Sequence, residues 1–358
     1  MSAPRGLGFG GFLIGIGAGW LIFSTYDVSR DLIAWLLIII GGAIILTSMI
    51  SYLRPRVSFS GGISSFAVGL VIAMVITSGI GMLFPWNWDW DSGPAAFTEE
   101  GTEAFSGTVQ TQGLLFRTDI VNGQVNVTSW DRDDYSVDLL IKAKGNSQNE
   151  AQSNLEKVNI SLDERLDSER TDLVLIVDVP TLTWTRVSVL IDVIVPSDTL
   201  VDLDVETTNG AVYVTGISGN DIDIATTNGK VDFESVKADN IGASTTNGNI
   251  EGIVEASVFS GETTNGKVML EISSRMSGYY DLSTTNGAVE VTVNPGTEVG
   301  YVFDLRTTIG GVTVDLANVD YTTNENRQKV GETTGYSGKT IKIEIKARAT
   351  NGSISLED

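Results

Sequence analysis

The sequence predicts three transmembrane α-helices followed by an all-β domain. That domain reads as a β-solenoid, single-stranded and β-helix-like, built from Thr-Thr-Asn-Gly repeats of about 19–21 residues. Three observations predict this class. Residues 1–85 contain three long apolar runs without a charge. The remainder changes to short alternating runs of Val, Ile and Thr. Within it, one tetrapeptide returns at a nearly constant step. An antiparallel β-meander is the alternative for the second part, because Asn-Gly between alternating runs is also a strong local hairpin signal.

Composition narrows the chemistry. The chain has 358 residues, 45 acidic and 23 basic, for a formal net charge of −22, with no cysteine and no histidine. Disulfides, thiolate zinc sites, iron–sulfur clusters and thiol nucleophiles are therefore excluded. So is a Ser-His-Asp triad. The acidic balance argues against nucleic acid, whose phosphates need clustered Lys and Arg. The charge is unevenly placed. Residues 1–85 carry four arginines against two aspartates, and the rest carries 19 basic against 43 acidic groups.

The apolar runs are 7–23, 32–53 and 63–84. The second and third have 22 residues each. At about 1.5 Å per residue, such a helix spans roughly 33 Å, enough for the hydrocarbon core of a bilayer. A cleaved signal peptide is the rival reading of the first run, but Ser24-Thr25-Tyr26-Asp27 offers no small-x-small cleavage site. Arg5, Arg54 and Arg56 against Arg30 place the N-terminus in the cytoplasm. Three crossings then place residues 86–358 outside the cell membrane. Trp86, Trp88 and Trp90 stand where the third run ends and read as interfacial anchors. Gly11, Gly15 and Gly19 share one helix face and permit close helix approach.

Residues 86–104 form the Trp segment and a linker, and the β-repeat domain occupies 105–358. Its capping part, 105–200, holds one short helix near 147–158, announced by Ser147 with Glu150 three residues on. The repeats occupy 201–358. Their corners are Asn209-Gly210, Asn228-Gly229, Asn247-Gly248, Asn265-Gly266 and Asn286-Gly287. Variant copies read Thr307-Thr308-Ile309-Gly310 and Ala349-Thr350-Asn351-Gly352. Apolar residues stand six and four before the Asn, as in Leu203 and Val205, and three and five after it, as in Val212 and Val214. Period two puts each set on one strand face. Glycine after Asn is expected to supply a positive φ at the corner. The identical corners predict Asn and Thr side chains stacked rung on rung. Residues 317–339 break the repeat and read as a polar surface loop.

The stretch from Val121-Asn122-Gly123 through Val125-Asn126-Val127 to Trp130-Asp131 resembles the opening of the prokaryotic "putative adhesin" β-strand-repeat domain of unknown function. Ile191-Asp192-Val193-Ile194-Val195-Pro196 followed by Thr-Thr-Asn-Gly rungs is similar to the same family. The resemblance covers about residues 100–358. The Gly-rich front resembles the membrane segments of Lia-type envelope-stress proteins. Membership implies a right-handed solenoid-like fold at the cell surface or in the envelope, with no catalytic residues to carry over.

Candidate sites follow from the residues. Asn126, Asn159 and Asn351 head sequons and are candidate glycosylation sites if they lie outside. Asp221 with Asp223, and Asp131, Asp133 and Asp134, are the densest acidic groups, without the spacing of a known calcium loop. Asp232, Glu234, Glu251 and Glu290 are the carboxylates that a polysaccharide-cleaving enzyme could use without histidine. They recur at rung positions like ordinary outward residues, so the expectation is no enzyme, no metal and no cofactor. The expected partners are the lipid bilayer and envelope or surface glycans or proteins, with no oligomeric state specified. The expected function is a membrane-anchored surface protein displaying an acidic solenoid for adhesion or envelope organisation. The alternative is an envelope-stress regulator acting through its helices.

Overall fold

The computed structural model describes residues 97–358, apart from 168, 181, 182 and 274. All belong to the compact unit Gly93–Asp358. The three apolar runs, the Lia-like front and Trp86, Trp88 and Trp90 lie outside the described residues.

Strands β1 (Phe97–Thr108), β2 (Gly113–Trp130) and β3 (Asp134–Gly145) precede helix α1 (Gln148–Leu155). β4 (Asn159–Leu166), β5 (Arg170–Asp178) and β6 (Val187–Pro196) follow. The repeats form β7 (Leu200–Asn209), β8 (Val212–Thr215), β9 (Ser218–Thr226), β10 (Val231–Thr245), β11 (Ile250–Asn265) and β12 (Val268–Ile272). They continue as β13 (Gly278–Asn286), β14 (Val289–Val293), β15 (Val299–Ile309) and β16 (Val312–Asp315). β17 (Val319–Asn324) and β18 (Gln328–Thr333) make an antiparallel hairpin. β19 (Ile341–Asn351) and β20 (Ile354–Glu357) come last.

Each rung has one arm before its Asn-Gly corner and one after it. Each arm pairs in parallel with the same arm of its neighbour. Leu203 lies opposite Ile222, and Ile222 opposite Ile241. Val212 lies opposite Val231, and Val231 opposite Ile250. The inward residues of both arms enter one apolar cluster, with Val205, Val212, Val214, Ile224 and Val231 at most 1% exposed. Phe259 stacks on Tyr280 at 6.0 Å and meets the edge of Phe233 at 6.2 Å. The period-two pattern thus does its work twice per rung, once in each arm.

The expected class, three membrane helices followed by a solenoid, is corrected. The described residues are nearly all strand, in one 20-stranded mixed sheet with a single α-helix. Among them, no helix is long and apolar enough to cross a membrane. The sheet is not a uniform succession of rungs either. Both ends turn antiparallel, through β3–β6 with β1–β3 and β4–β5 at one end and β15–β18 with β17–β18 at the other. Nor do the rungs follow chain order, since β19 lies between β13 and β15. The meander alternative is corrected too, because the repeat arms pair between rungs and not across their own corner. The expected loop at 317–339 contains the β17–β18 hairpin, which covers the outer face-edge of β15. Its connection also supplies Asn326 and Arg327 carbonyls to Val312 and Thr307 N–H groups. An open parallel end would leave such donors bare.

Helix α1 starts where the Ser147 hydroxyl accepts the Glu150 N–H at 3.2 Å, while the Glu150 carboxylate accepts the Asn146 N–H at 2.9 Å. Ala151 and Asn154 are its buried residues, and Asn154 donates to the Lys144 carbonyl at 2.9 Å. The helix packs on β1 and β3. At the opposite edge, β4 carries Asp163, Glu164 and Arg165, charges that oppose pairing with a foreign strand.

The corner glycines are needed for a reason other than the expected one. Positive φ occurs at Gly216, Gly252, Gly310 and Gly335, and the five glycines of the intact Thr-Thr-Asn-Gly corners are not among them. A Cβ on Gly229 would instead collide with the carbonyl of Gly210 in the neighbouring rung. Gly248, Gly266 and Gly287 stand in the same relation to the rung beside them. Gly229→Ala is therefore expected to cost about 2–4 kcal/mol by forcing two rungs apart. Chemical denaturation of the purified protein measures this, and an unchanged midpoint would contradict the close approach.

Candidate functional site

The corners assemble into one seam along the stack. The Asn209 Nδ2 donates to Asn122 Oδ1 at 2.7 Å. Asn228 donates to Asn209, Asn247 to Asn228 and Asn265 to Asn247, each at 2.8 Å. Asn286 donates to Asn265 at 2.9 Å and Asn351 to Asn286 at 2.8 Å. Parallel pairing places identical amides one strand spacing apart, so each can donate to one neighbour and accept from the other. Ile309 stands at this register beyond Asn351, is 61% exposed and cannot extend the ladder.

A hydroxyl ladder runs beside the amides on the inner side. Thr207 donates to the Gly123 carbonyl at 3.1 Å, Thr226 to Gly210 and Thr245 to Gly229 at 3.0 Å. Thr263 and Thr284 donate to Gly248 and Gly266 at 2.9 Å, and Thr307 to Gly352 at 2.7 Å. These threonines are buried, which explains why a polar residue is tolerated at an inward position. The second threonine of each copy points the other way. Thr208, Thr227, Thr246, Thr264, Thr285, Thr350 and Thr308 are all exposed. From Asn228 onward the ladder amides are exposed as well. The seam therefore offers water one column of hydroxyls and one of half-used amides.

The other sequence candidates fall into place as follows. Asn126 is on β2 and its amide is engaged, donating to Asp192 at 2.6 Å and accepting from Gln124 at 2.9 Å. Asn351 belongs to the ladder. Asn159 is exposed at the start of edge strand β4. Asp221 accepts from Asn240 at 2.7 Å. Asp223 is held above its ordinary value, first by desolvation among the neighbouring strands and then by the Asp204 carboxylate. Asp204 itself bonds Arg117 at 2.7 Å. Asp134 is bound by Arg132, whose guanidinium lies 3.6 Å from the centre of the Trp130 ring. Among the described residues, no three acidic groups converge as a metal site would require. Asp232 and Glu251 share Lys230 at 2.7 and 2.6 Å, which raises the lysine pKa. Glu290 bonds Lys267 at 3.1 Å. A cation thus stands between the two carboxylates where a glycosidic oxygen would have to enter.

The inward ring of Tyr280 is expected from its place six residues before Asn286, but the role of its hydroxyl is not. Its hydroxyl donates to the Ala256 carbonyl at 3.2 Å and accepts the Ala256 N–H at 3.1 Å. It thereby satisfies both backbone groups of a residue where β11 leaves one arm for the next. Burial, above all, pushes its pKa up to about 12. The −6 register that it shares with Phe116, Phe259 and Phe303 was visible as an apolar position, but its hydroxyl had no visible partner.

No family model matches the chain, and no curated protein matches it. Among solved structures, it is similar to a "putative cell adhesion protein" from Clostridium sporogenes, at 8% identity and TM-score 0.34, over 72% of this chain and 99% of that one. It is similar to a "putative adhesin" from Bacteroides fragilis, at 12% identity and TM-score 0.35, over 72% and 97% of the two chains. A "putative lipid binding protein" from Parabacteroides distasonis aligns over 72% and 97% at 10% identity and TM-score 0.30. At such identity and overlap, nothing about function follows from these likenesses.

Two outcomes follow from the ladders and their support. Ala349 lies between Thr284 and Thr307 in register but has no hydroxyl to offer the Gly287 carbonyl. Ala349→Thr is expected to stabilise the protein by about 0.5–1.5 kcal/mol, read as a raised denaturation midpoint. Tyr280→Phe is expected to cost about 1–3 kcal/mol by unpairing Ala256. Because the folded pKa of Tyr280 is raised, its contribution is complete below the ordinary tyrosine range and is lost as pH rises through about 12. Stability measured from pH 9 upward should therefore fall less steeply in Tyr280→Phe than in the parent.

Proposed function

We propose that this chain is a membrane-anchored cell-surface protein that presents its repeat stack outside the cell for adhesion or envelope organisation. The observation that carries the reading is the seam, with hydroxyls and half-used amides exposed at one constant spacing along a backbone held in register. Each exposed ladder amide from Asn228 to Asn286 donates once and accepts once within the ladder, which leaves one N–H and one oxygen lone pair for an outside partner. Such an array suits a polymer with repeating hydroxyl groups, so the partner class is an envelope or surface glycan. The apolar runs and arginine placement in 1–85 support anchoring with residues 86–358 outside. The role is binding rather than catalysis, which fits the lysine seated between Asp232 and Glu251.

The test is binding of the full chain, held in lipid nanodiscs, to isolated cell-envelope polysaccharide. The parent protein is expected to bind. Thr227→Arg together with Thr264→Arg is expected to weaken binding at least about tenfold, or about 1.4 kcal/mol, while leaving Tm unchanged. Equal binding by both proteins, or no binding by the parent, would overturn the assignment.

A further inference from the structure

The rung that follows β14 in the chain is not its neighbour in space. β15–β16 comes next in sequence but sits one place further out. The vacant place is filled by β19–β20, the last two strands. Without them, β13 and β15 would stand about 10 Å apart, two strand spacings, with unpaired backbone on both sides. The filling rung fits this gap completely. Ile343, Ile345, Ala347, Ile354 and Leu356 are fully buried, and Asn351 continues the amide ladder.

The segment that delivers this rung is held differently. It reaches β19 through 334–340, which contains the short turn Tyr336–Gly338. Gly335 has φ +78, and a Cβ on either Gly335 or Gly338 would meet no atom within 4 Å. A cleft of about 180 Å³ lies between Thr334, Lys339 and the connector at Pro295 and Gly296. The polar ties at the entry are exposed, from Lys339 to the Thr297 carbonyl at 2.6 Å and from Thr340 to Glu298 at 2.9 Å. A tightly complementary rung is thus delivered by a short hinge with outward-facing glycines at Gly335 and Gly338. β19–β20 follow in the chain after both rungs that flank their place in the stack.

We propose that this gap is a strand-acceptor site for a second copy of the chain. Residues 341–358 of one copy fill the gap of another, and the exchange is reciprocal, giving a dimer with swapped final rungs. All the strand pairings of the rung are with β13–β16, so another copy can supply them unchanged. What distinguishes the two arrangements is the path of the hinge.

Two differently tagged full chains, co-expressed in one cell, test this. One carries Glu290→Cys and the other Ser355→Cys, positions paired between β14 and β20. The native sequence has no cysteine to interfere. A short thiol cross-linker is expected to join the two tags at least about tenfold more than in the control pair Thr215→Cys and Glu234→Cys. The control positions pair between β8 and β10, rungs that do not exchange. A single chain carrying both Glu290→Cys and Ser355→Cys must cross-link internally, and each variant must melt like the parent. With those two conditions met, absence of the mixed product above the control level would overturn the proposal.

Discussion

Everything in the described part of this protein depends on how closely one Asn-Gly corner lies against the next. The approach leaves no room for a Cβ on Gly229, Gly248, Gly266 or Gly287. It also brings the Gly229, Gly248 and Gly266 carbonyls under threonine hydroxyls and each asparagine amide within reach of its copy. A shift of one residue in register would lose all three arrangements together and turn the apolar residues of both arms to solvent. Register is thereby specified at the corner, and the buried Val and Ile residues need only fill volume.

The same constraint explains where the repeat may vary. Outward positions change freely, from Asp204 to Asp223 to Gly242 to Ser260 in one column. Inward positions change only within apolar limits. At the corner, the departures occur at the two ends of the stack, beginning with Ile120 and Val121 in place of the two threonines beside Asn122. Ile309 replaces the amide in the outermost parallel rung, where no further asparagine follows. Ala349 drops a hydroxyl in the rung inserted between β13 and β15. The antiparallel β17–β18 hairpin then closes an edge that identical rungs would have left open to further stacking.

Much of this was legible in the residues. The repeat step gave the in-line stacking of Asn228 on Asn209, and period two gave Leu203, Val205, Val212 and Val214 as core. What failed depended on information that lies between rungs. The glycine requirement looked like a φ requirement, because a single corner read alone cannot reveal the backbone lying against it. The place of β19 was hidden because chain order and stack order coincide from β7 to β14 and then part. Tyr280 was recognisable as an inward ring, but its partner Ala256 is 24 residues away in an irregular part of β11. The binding reading of the seam has a similar origin. Sequence marked the Thr-Thr-Asn-Gly copies, and only the pairing showed that the two threonines face opposite ways.

The amide ladder couples neighbouring corners energetically. A double-mutant cycle on Asn228→Ala and Asn247→Ala measures that coupling directly, since each amide bonds the other at 2.8 Å. The ladder predicts that the double variant loses less stability than the sum of the singles, with a coupling of roughly 0.5–1.5 kcal/mol. Strict additivity of the two losses would mean that the exposed amides stack without holding the rungs together, and would contradict the account.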